Sequence, residues 1–247
     1  MLRARIIPFL LISNNDLVKT TKFDNENYIG DPLNTVRIFN EKKCDEISVY
    51  DISISSHNKS PNFKLIKDIA HEARMPVTYG GGVKNKLDAL KIFNFGIEKI
   101  SVNSLYFDNK DEVKEIINSV GSQSTVVTLD VSLYKGEYCV FTNRGKNRIN
   151  KELTSILDDL QEINVGEIII NNIDRDGTME GYDNNLLELV FKETQIPITF
   201  IGGVGKNSDM KNAIQKFGSI GYGCSSLFIY KGPRKAVLIN YKNNFFD

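Results

Sequence analysis

The chain has 247 residues, 41% of them apolar and 25% charged, with Lys+Arg and Asp+Glu balanced at 31 each. That length fits one large domain, and about 250 residues is the usual size of an eight-stranded α/β barrel. A net charge of zero excludes a bulk field that draws the chain to nucleic acid or to a membrane surface, so any anion must be held by local geometry. The longest apolar run near the start, Ile6 to Ile12 broken only by Pro8, is too short for membrane insertion or a signal-peptide core. Cys44, Cys139 and Cys224 lie far apart without metal-type spacing, which fits a reducing cytoplasm and points to no metal and no cofactor.

Short β-rich runs alternate with amphipathic stretches of helical length, the pattern of βα units around a parallel sheet. Strands are predicted over 4–11, 46–50, 76–79, 99–102, 125–129, 167–170, 197–201 and 219–221. Helices are predicted between them over 32–43, 62–74, 86–93, 110–119, 151–163, 184–192 and 208–217. Eight strands in this alternation favour a closed (β/α)₈ barrel over an open doubly wound sheet.

An internal repeat strengthens that choice. Met75-Pro-Val-Thr-Tyr-Gly-Gly-Gly-Val83 returns as Ile196-Pro-Ile-Thr-Phe-Ile-Gly-Gly-Val204, with Pro76 and Pro197 121 residues apart. Ser104 and Ser225 repeat the same interval, and Leu10-Leu-Ile-Ser13 matches Leu129-Asp-Val-Ser132 at an offset of 119. A period near half the chain predicts one barrel, 1–247, built from half-barrels of about 1–122 and 123–247.

Function in such barrels sits at the C-terminal strand ends. Gly80-Gly81-Gly82 follows the third predicted strand and Gly202-Gly203 the seventh. Glycines let backbone N–H groups approach an anion, and Asn103-Ser104 and Ser225-Ser226, each one unit later, add further donors. Tight turns without a ligand are the alternative, but two symmetric copies favour two phosphate cradles and a phosphorylated small molecule. Asp130, ending the fifth strand, is placed to act as acid or base, or to cap its loop. Its symmetry partner is Leu11, which transfers no proton. Asp174-Arg175-Asp176-Gly177-Thr178 suits ribose-like hydroxyls or is a solvated turn, and Asp51 and Lys19 are weaker candidates of the same kind. His57 is a further, weaker substrate contact, while His71, Cys224, Tyr79 and Tyr222 read as surface or packing.

At the opposite end, Arg5, Glu46, Lys99 and Glu167 lie at or near the starts of strands one, two, four and six. By alternation they face inward as a ring of two positive and two negative charges. Buried charges need partners, so the ring is a salt-bridged plug or a gate for a small polar molecule.

Taken together, Ile6-Ile7-Pro8, Ile29-Gly30-Asp31-Pro32, Asp45-Glu46, Tyr50-Asp51-Ile52, Gly80-Gly81-Gly82-Val83, Lys99-Ile100-Ser101-Val102-Asn103, Asp174-Arg175-Asp176-Gly177-Thr178 and Gly181-Tyr182-Asp183 resemble the cyclase subunit of imidazole glycerol phosphate synthase. The resemblance runs from end to end. It implies a half-barrel duplication of the ribulose-phosphate-binding type whose N-terminal face pairs with a glutaminase. It also implies that ammonia enters at the bottom, with Arg5, Glu46, Lys99 and Glu167 as the gate. Phosphate roles are implied for Gly82, Asn103, Ser104, Gly203 and Ser225.

The departure is at the catalytic pair. The family has one aspartate after strand one and another after strand five; here the second is Asp130, while Phe9-Leu10-Leu11 replaces the usual Cys-Leu-Asp. Ile201 also stands where the family has a small polar residue. A branch of the family found in bacterial surface-polysaccharide gene sets resembles the chain better, through its leucine-rich stretch after strand one and Tyr28-Ile29-Gly30-Asp31-Pro32. That branch implies an ammonia conduit between a glutaminase and a sugar amidotransferase that forms acetamidino groups. The alternatives are the cyclase of histidine biosynthesis acting through Asp130, and a regulatory barrel that binds a phosphorylated ligand without catalysis.

Overall fold

The structure, a computed structural model, describes residues 4–55 and 60–241. Eight strands form the barrel: β1 (Arg5–Ser13), β2 (Ile47–Asp51), β3 (Val77–Gly80), β4 (Lys99–Val102), β5 (Thr125–Tyr134), β6 (Glu167–Asn172), β7 (Ile198–Ile201) and β8 (Gly221–Cys224). All pair in parallel with their neighbours, and the ring closes through β8 against β1. The helices α1 (Pro32–Glu41), α2 (Phe63–Glu72), α3 (Lys86–Phe93), α4 (Lys110–Val120), α5 (Leu153–Glu162), α6 (Asn184–Glu193) and α7 (Asn207–Phe217) alternate with the strands. Among the described residues no helix is long and apolar enough to cross a membrane.

Local sequence sets these helices. Asp31 caps α1 by accepting from the Asn34 N–H, and Pro32 stands at the first helical position, where its missing N–H costs nothing. In α4, Val113, Ile116 and Ile117 are buried at three- and four-residue spacing, and the helix stops at Gly121 with φ of 91°. Strand alternation then separates two cores. Ile168 and Ile170 of β6 face the helices, whereas Ile169 joins Ile7, Phe9 and Val126 inside the barrel, with Tyr50 and Ile201 packed on them.

Four predicted elements need corrected boundaries. The eighth strand is Gly221–Cys224 rather than 219–221. A Cβ on Gly221 would strike Thr199 and one on Gly223 would strike Ile201 and Phe9, so glycine is needed within the strand. β1 and β5 run past 11 and 129 into hairpins, Asp16–Thr21 with Asp24–Gly30, and Glu137–Thr142 with Asn147–Glu152. The second hairpin takes up Lys151 and Glu152, so α5 begins at Leu153 rather than 151. His57 lies outside the described residues.

The barrel base is closed by charge. Arg5 donates to Glu46 at 3.3 Å and to Glu167 at 2.7 Å, and Lys99 donates to the other Glu167 oxygen at 2.7 Å. Thr199, unforeseen from the sequence, adds a hydroxyl to Glu167 at 2.5 Å and accepts from Arg5 at 3.2 Å. Burial alone raises the Glu167 carboxyl, but Arg5 and Lys99 outweigh it and hold it below its ordinary value. Replacing Glu167 by Gln therefore leaves Arg5 and Lys99 without their shared partner. The expected cost is about 3 kcal/mol in denaturant unfolding at neutral pH, the lower end for a broken buried pair because both cations keep some solvent. Because the folded carboxyl is depressed, its contribution is complete above the ordinary Glu value and fades as pH falls through the lowered one. The gap between wild type and variant should narrow over that acid range; a gap that is flat with pH would refute this account.

Candidate functional site

At the C-terminal ends of the strands lies a cavity of about 830 Å³. It gathers Leu11, Lys19, Asp51, Gly81, Gly82, Asn103, Ser104, Asp130, Asp176, Gly177, Gly202, Gly203 and Ser225 into one space, whereas Gly80, Asp174, Arg175 and Thr178 do not line it. Arg5, Glu46, Lys99 and Glu167 do not line it and form the separate ring at the base.

The two glycine turns are built alike. Gly81 and Gly202 adopt φ of 123° and 107°. A Cβ on Gly81 would lie 2.5 Å from the Asp51 carbonyl, and one on Gly202 would lie 2.7 Å from the Asn172 carbonyl. Both turns thus press against the end of the preceding strand, where only glycine fits. Beside the first, Asn103 precedes the short helix Ser104–Asp108; beside the second, Ser225 precedes Ser226–Ile229. The Ser225 hydroxyl is buried and, among the described residues, has no hydrogen-bond partner. Buried hydroxyls are seldom left so, and this one belongs to a residue that lines the cavity.

Asp130 sits between two amides. Asn171 donates to one of its oxygens at 2.9 Å and Asn103 to the other at 3.1 Å, while Asn103 also donates to the Thr128 carbonyl at 2.9 Å. Desolvation pushes the Asp130 carboxyl up to about 7, with the charge of Asp176 adding to the rise; the amide hydrogen bonds oppose it. A carboxyl poised there exchanges protons near neutrality. Leu11, on β1 beside Tyr50 of β2, brings only an apolar side chain to the same cavity.

The turn after β6 serves the hairpins. Asp176 accepts from Thr20 at 2.6 Å and from the Phe23 N–H at 3.3 Å, and pairs with buried Lys19 at 3.6 Å. Asp174 accepts from Ser132 at 2.9 Å and from the Leu133 N–H at 2.8 Å. Each carboxylate of the turn therefore anchors one hairpin. Asp51 accepts from the Ser53 N–H at 3.0 Å and its hydroxyl at 2.7 Å, fixing the short helix Ile52–Ser55. Arg144, at the tip of the second hairpin, pairs with Glu26 of the first at 2.7 Å and lines the cavity.

Asn171 and Arg144 escaped the sequence reading. Alternation from Glu167 through Ile169 marks Asn171 as inward-facing, a signal that was there to use. Arg144 carried none, because its hairpin has no apolar alternation.

The Asp130 carboxyl, followed by carbon-13 NMR, is expected to titrate near pH 7 and to move higher in Asn171→Leu, which removes a hydrogen bond to the ionised form. A midpoint near 4 in the wild type would refute the desolvated setting.

Comparison with known proteins gives the family of the chain. The family model described as histidine biosynthesis protein matches residues 5–226. A Leptospira borgpetersenii protein, provisionally described as imidazole glycerol phosphate synthase subunit HisF, is 48% identical over 98% of this chain and 96% of its own length. A Pseudomonas aeruginosa protein with a similarly provisional description, as subunit hisF2, is 39% identical over 98% and 96%. The imidazole glycerol phosphate synthase subunit HisF of Sulfolobus acidocaldarius is 36% identical over 85% and 84%. With its closed barrel and end-to-end match, the chain belongs to the histidine biosynthesis protein family as a HisF-like synthase subunit.

Proposed function

We propose that this chain is a cytoplasmic, HisF-like subunit that conducts ammonia through its barrel from a glutaminase docked on the N-terminal face. The nitrogen goes to a separate sugar amidotransferase that forms an acetamidino group on a surface-polysaccharide sugar. The observation that carries the reading is the pairing of a fully assembled charged ring with Leu11 at the acid–base position. Chemistry that needs two carboxylates over one substrate lacks one of them, while the base of the barrel keeps every charge that the resemblance implies for a gate.

The two glycine turns with Asn103, Ser104 and Ser225 hold a phosphorylated small molecule, and the unpartnered Ser225 hydroxyl supports this assignment. In this role the ligand signals to the glutaminase that the acceptor machinery is ready, a coupling between two ends of one barrel. A second reading has one observation in its favour. Asp130, near 7 and facing the cavity, is suited to proton transfer, as the cyclase of histidine biosynthesis requires.

Purified chain given ammonium and the cyclase family's phosphoribosyl substrate is expected to show no turnover. Clear turnover, or rescue of a histidine auxotroph lacking its cyclase subunit, would establish the second reading instead. In the complex with its glutaminase, Lys99→Glu is expected to cut delivery of glutamine-derived nitrogen at least tenfold while leaving ligand binding at the top unchanged. Undiminished delivery would remove the gate from the proposal.

A further inference from the structure

None of the ring residues lines the cavity, whereas Phe9, Tyr50 and Ile201 do, as part of an apolar aromatic layer inside the barrel. Phe9 of β1 and Tyr50 of β2 stack with centroids 5.6 Å apart and planes 15° from parallel. Ile7, Val126, Ile169 and Ile201 pack with them as a cluster separate from the core beneath the helices.

Two glycines are matched to these rings. A Cβ on Gly80 would run into the Tyr50 ring, and one on Gly223 would run into Phe9 and Ile201. The strands flanking the aromatic pair, β3 beside Tyr50 and β8 beside Phe9, thus lack side chains where the rings need space. Tyr50 is also tethered: its hydroxyl is 3.1 Å from that of Thr128, which is 2.7 Å from that of Ser101. This line of three hydroxyls is the polar strip on an otherwise apolar wall.

Resting on the conduit reading above, the geometry points to the Phe9–Tyr50 stack as a septum across the barrel axis, with Tyr50 as its moving part, that passes neutral ammonia and stops ions. An ion in this layer loses its hydration and finds no countercharge. Ammonia is uncharged, small, and able to exchange hydrogen bonds with the Ser101, Thr128 and Tyr50 hydroxyls as it moves. When Tyr50 leaves Thr128 and swings, the axis opens; when the bond reforms, it closes. The septum therefore delivers nitrogen unprotonated and keeps bulk water and protons from flooding the base. No covalent bond changes.

The test reads the origin of nitrogen. Lysates of the source cells carrying each form of the chain receive amide-¹⁵N glutamine with unlabelled ammonium chloride. Mass spectrometry then reads the ¹⁵N share in the amidated sugar, with glutamine hydrolysis followed in parallel. Phe9→Trp, which overfills the layer, is expected to lower the ¹⁵N share at least tenfold while hydrolysis and ammonium-supported product persist. Tyr50→Phe, freed of its tether, is expected to keep or raise the share. A wild-type share in Phe9→Trp would overturn the septum. If that variant does not fold, Gly223→Ala, whose added Cβ would run into Phe9 and Ile201, should give the same fall, and a wild-type share there would overturn it equally. No ¹⁵N in the product of the wild type would instead overturn the conduit reading. The septum is then judged in crystals of the purified chain: a dry layer in the wild type and ordered water in Phe9→Ala support it, and a continuous file of water from Lys99 to Asp130 in the wild type overturns it.

Discussion

A carboxylate taken out of water must find its compensation in the protein, and Glu167 finds it in Arg5, Lys99 and Thr199 at the base of the barrel. Those partners come from β1, β4 and β7, and Arg5 carries the linkage on to Glu46 just before β2. One buried anion therefore ties together strands that the hydrogen-bond ladder joins only through neighbours. Asp130 shows the opposite outcome of the same physics. It has two amide donors in place of two cations, and another carboxylate, Asp176, adds to the effect of its burial. The base of the barrel holds a permanent ion, whereas the group facing the cavity is able to change its charge near neutrality.

The roof of the cavity depends on the turn after β6. Asp174 and Asp176 each reach a different hairpin, so the turn fixes the relative height of both. The sequence reading gave these carboxylates to polar substrate groups or to solvent. Asp176 does line the cavity, but its nearest partners are Thr20, the Phe23 N–H and Lys19. Much of the charge in this turn is thus spent on holding the frame of the site.

How far the sequence could be read follows from where its signals are strong. Parallel barrel strands are apolar on the helix side and need particular residues inside, so Glu167, Ile169 and Asn171 alternate visibly with Ile168 and Ile170. The same alternation brought out the charged ring, and the repeated glycine turns brought out both ends of the cavity. The hairpins were hidden because a strand such as Asp24–Gly30 stands largely in solvent and shows no apolar period. The turn of the first is just as quiet: Lys22 and Phe23 take left-handed angles without a glycine at either central position. The aromatic layer was illegible for a different reason. Phe9 and Tyr50 meet across two strands, and only three-dimensional closure shows that Gly80 and Gly223 make room for them.

The Arg144–Glu26 pair joins the tips of the two hairpins over the cavity mouth, and both side chains remain partly in solvent. An ion pair so placed contributes little to stability and weakens with salt. Its weight falls on kinetics instead. Under the proposed function, a phosphorylated ligand approaching the mouth would meet a cation already engaged, and admitting it would mean exchanging one counter-anion for another. Added salt then acts in two directions, loosening the clasp while screening the attraction between Arg144 and the incoming phosphate. Capture of such a ligand would consequently be less sensitive to ionic strength than at a site whose arginine stands free.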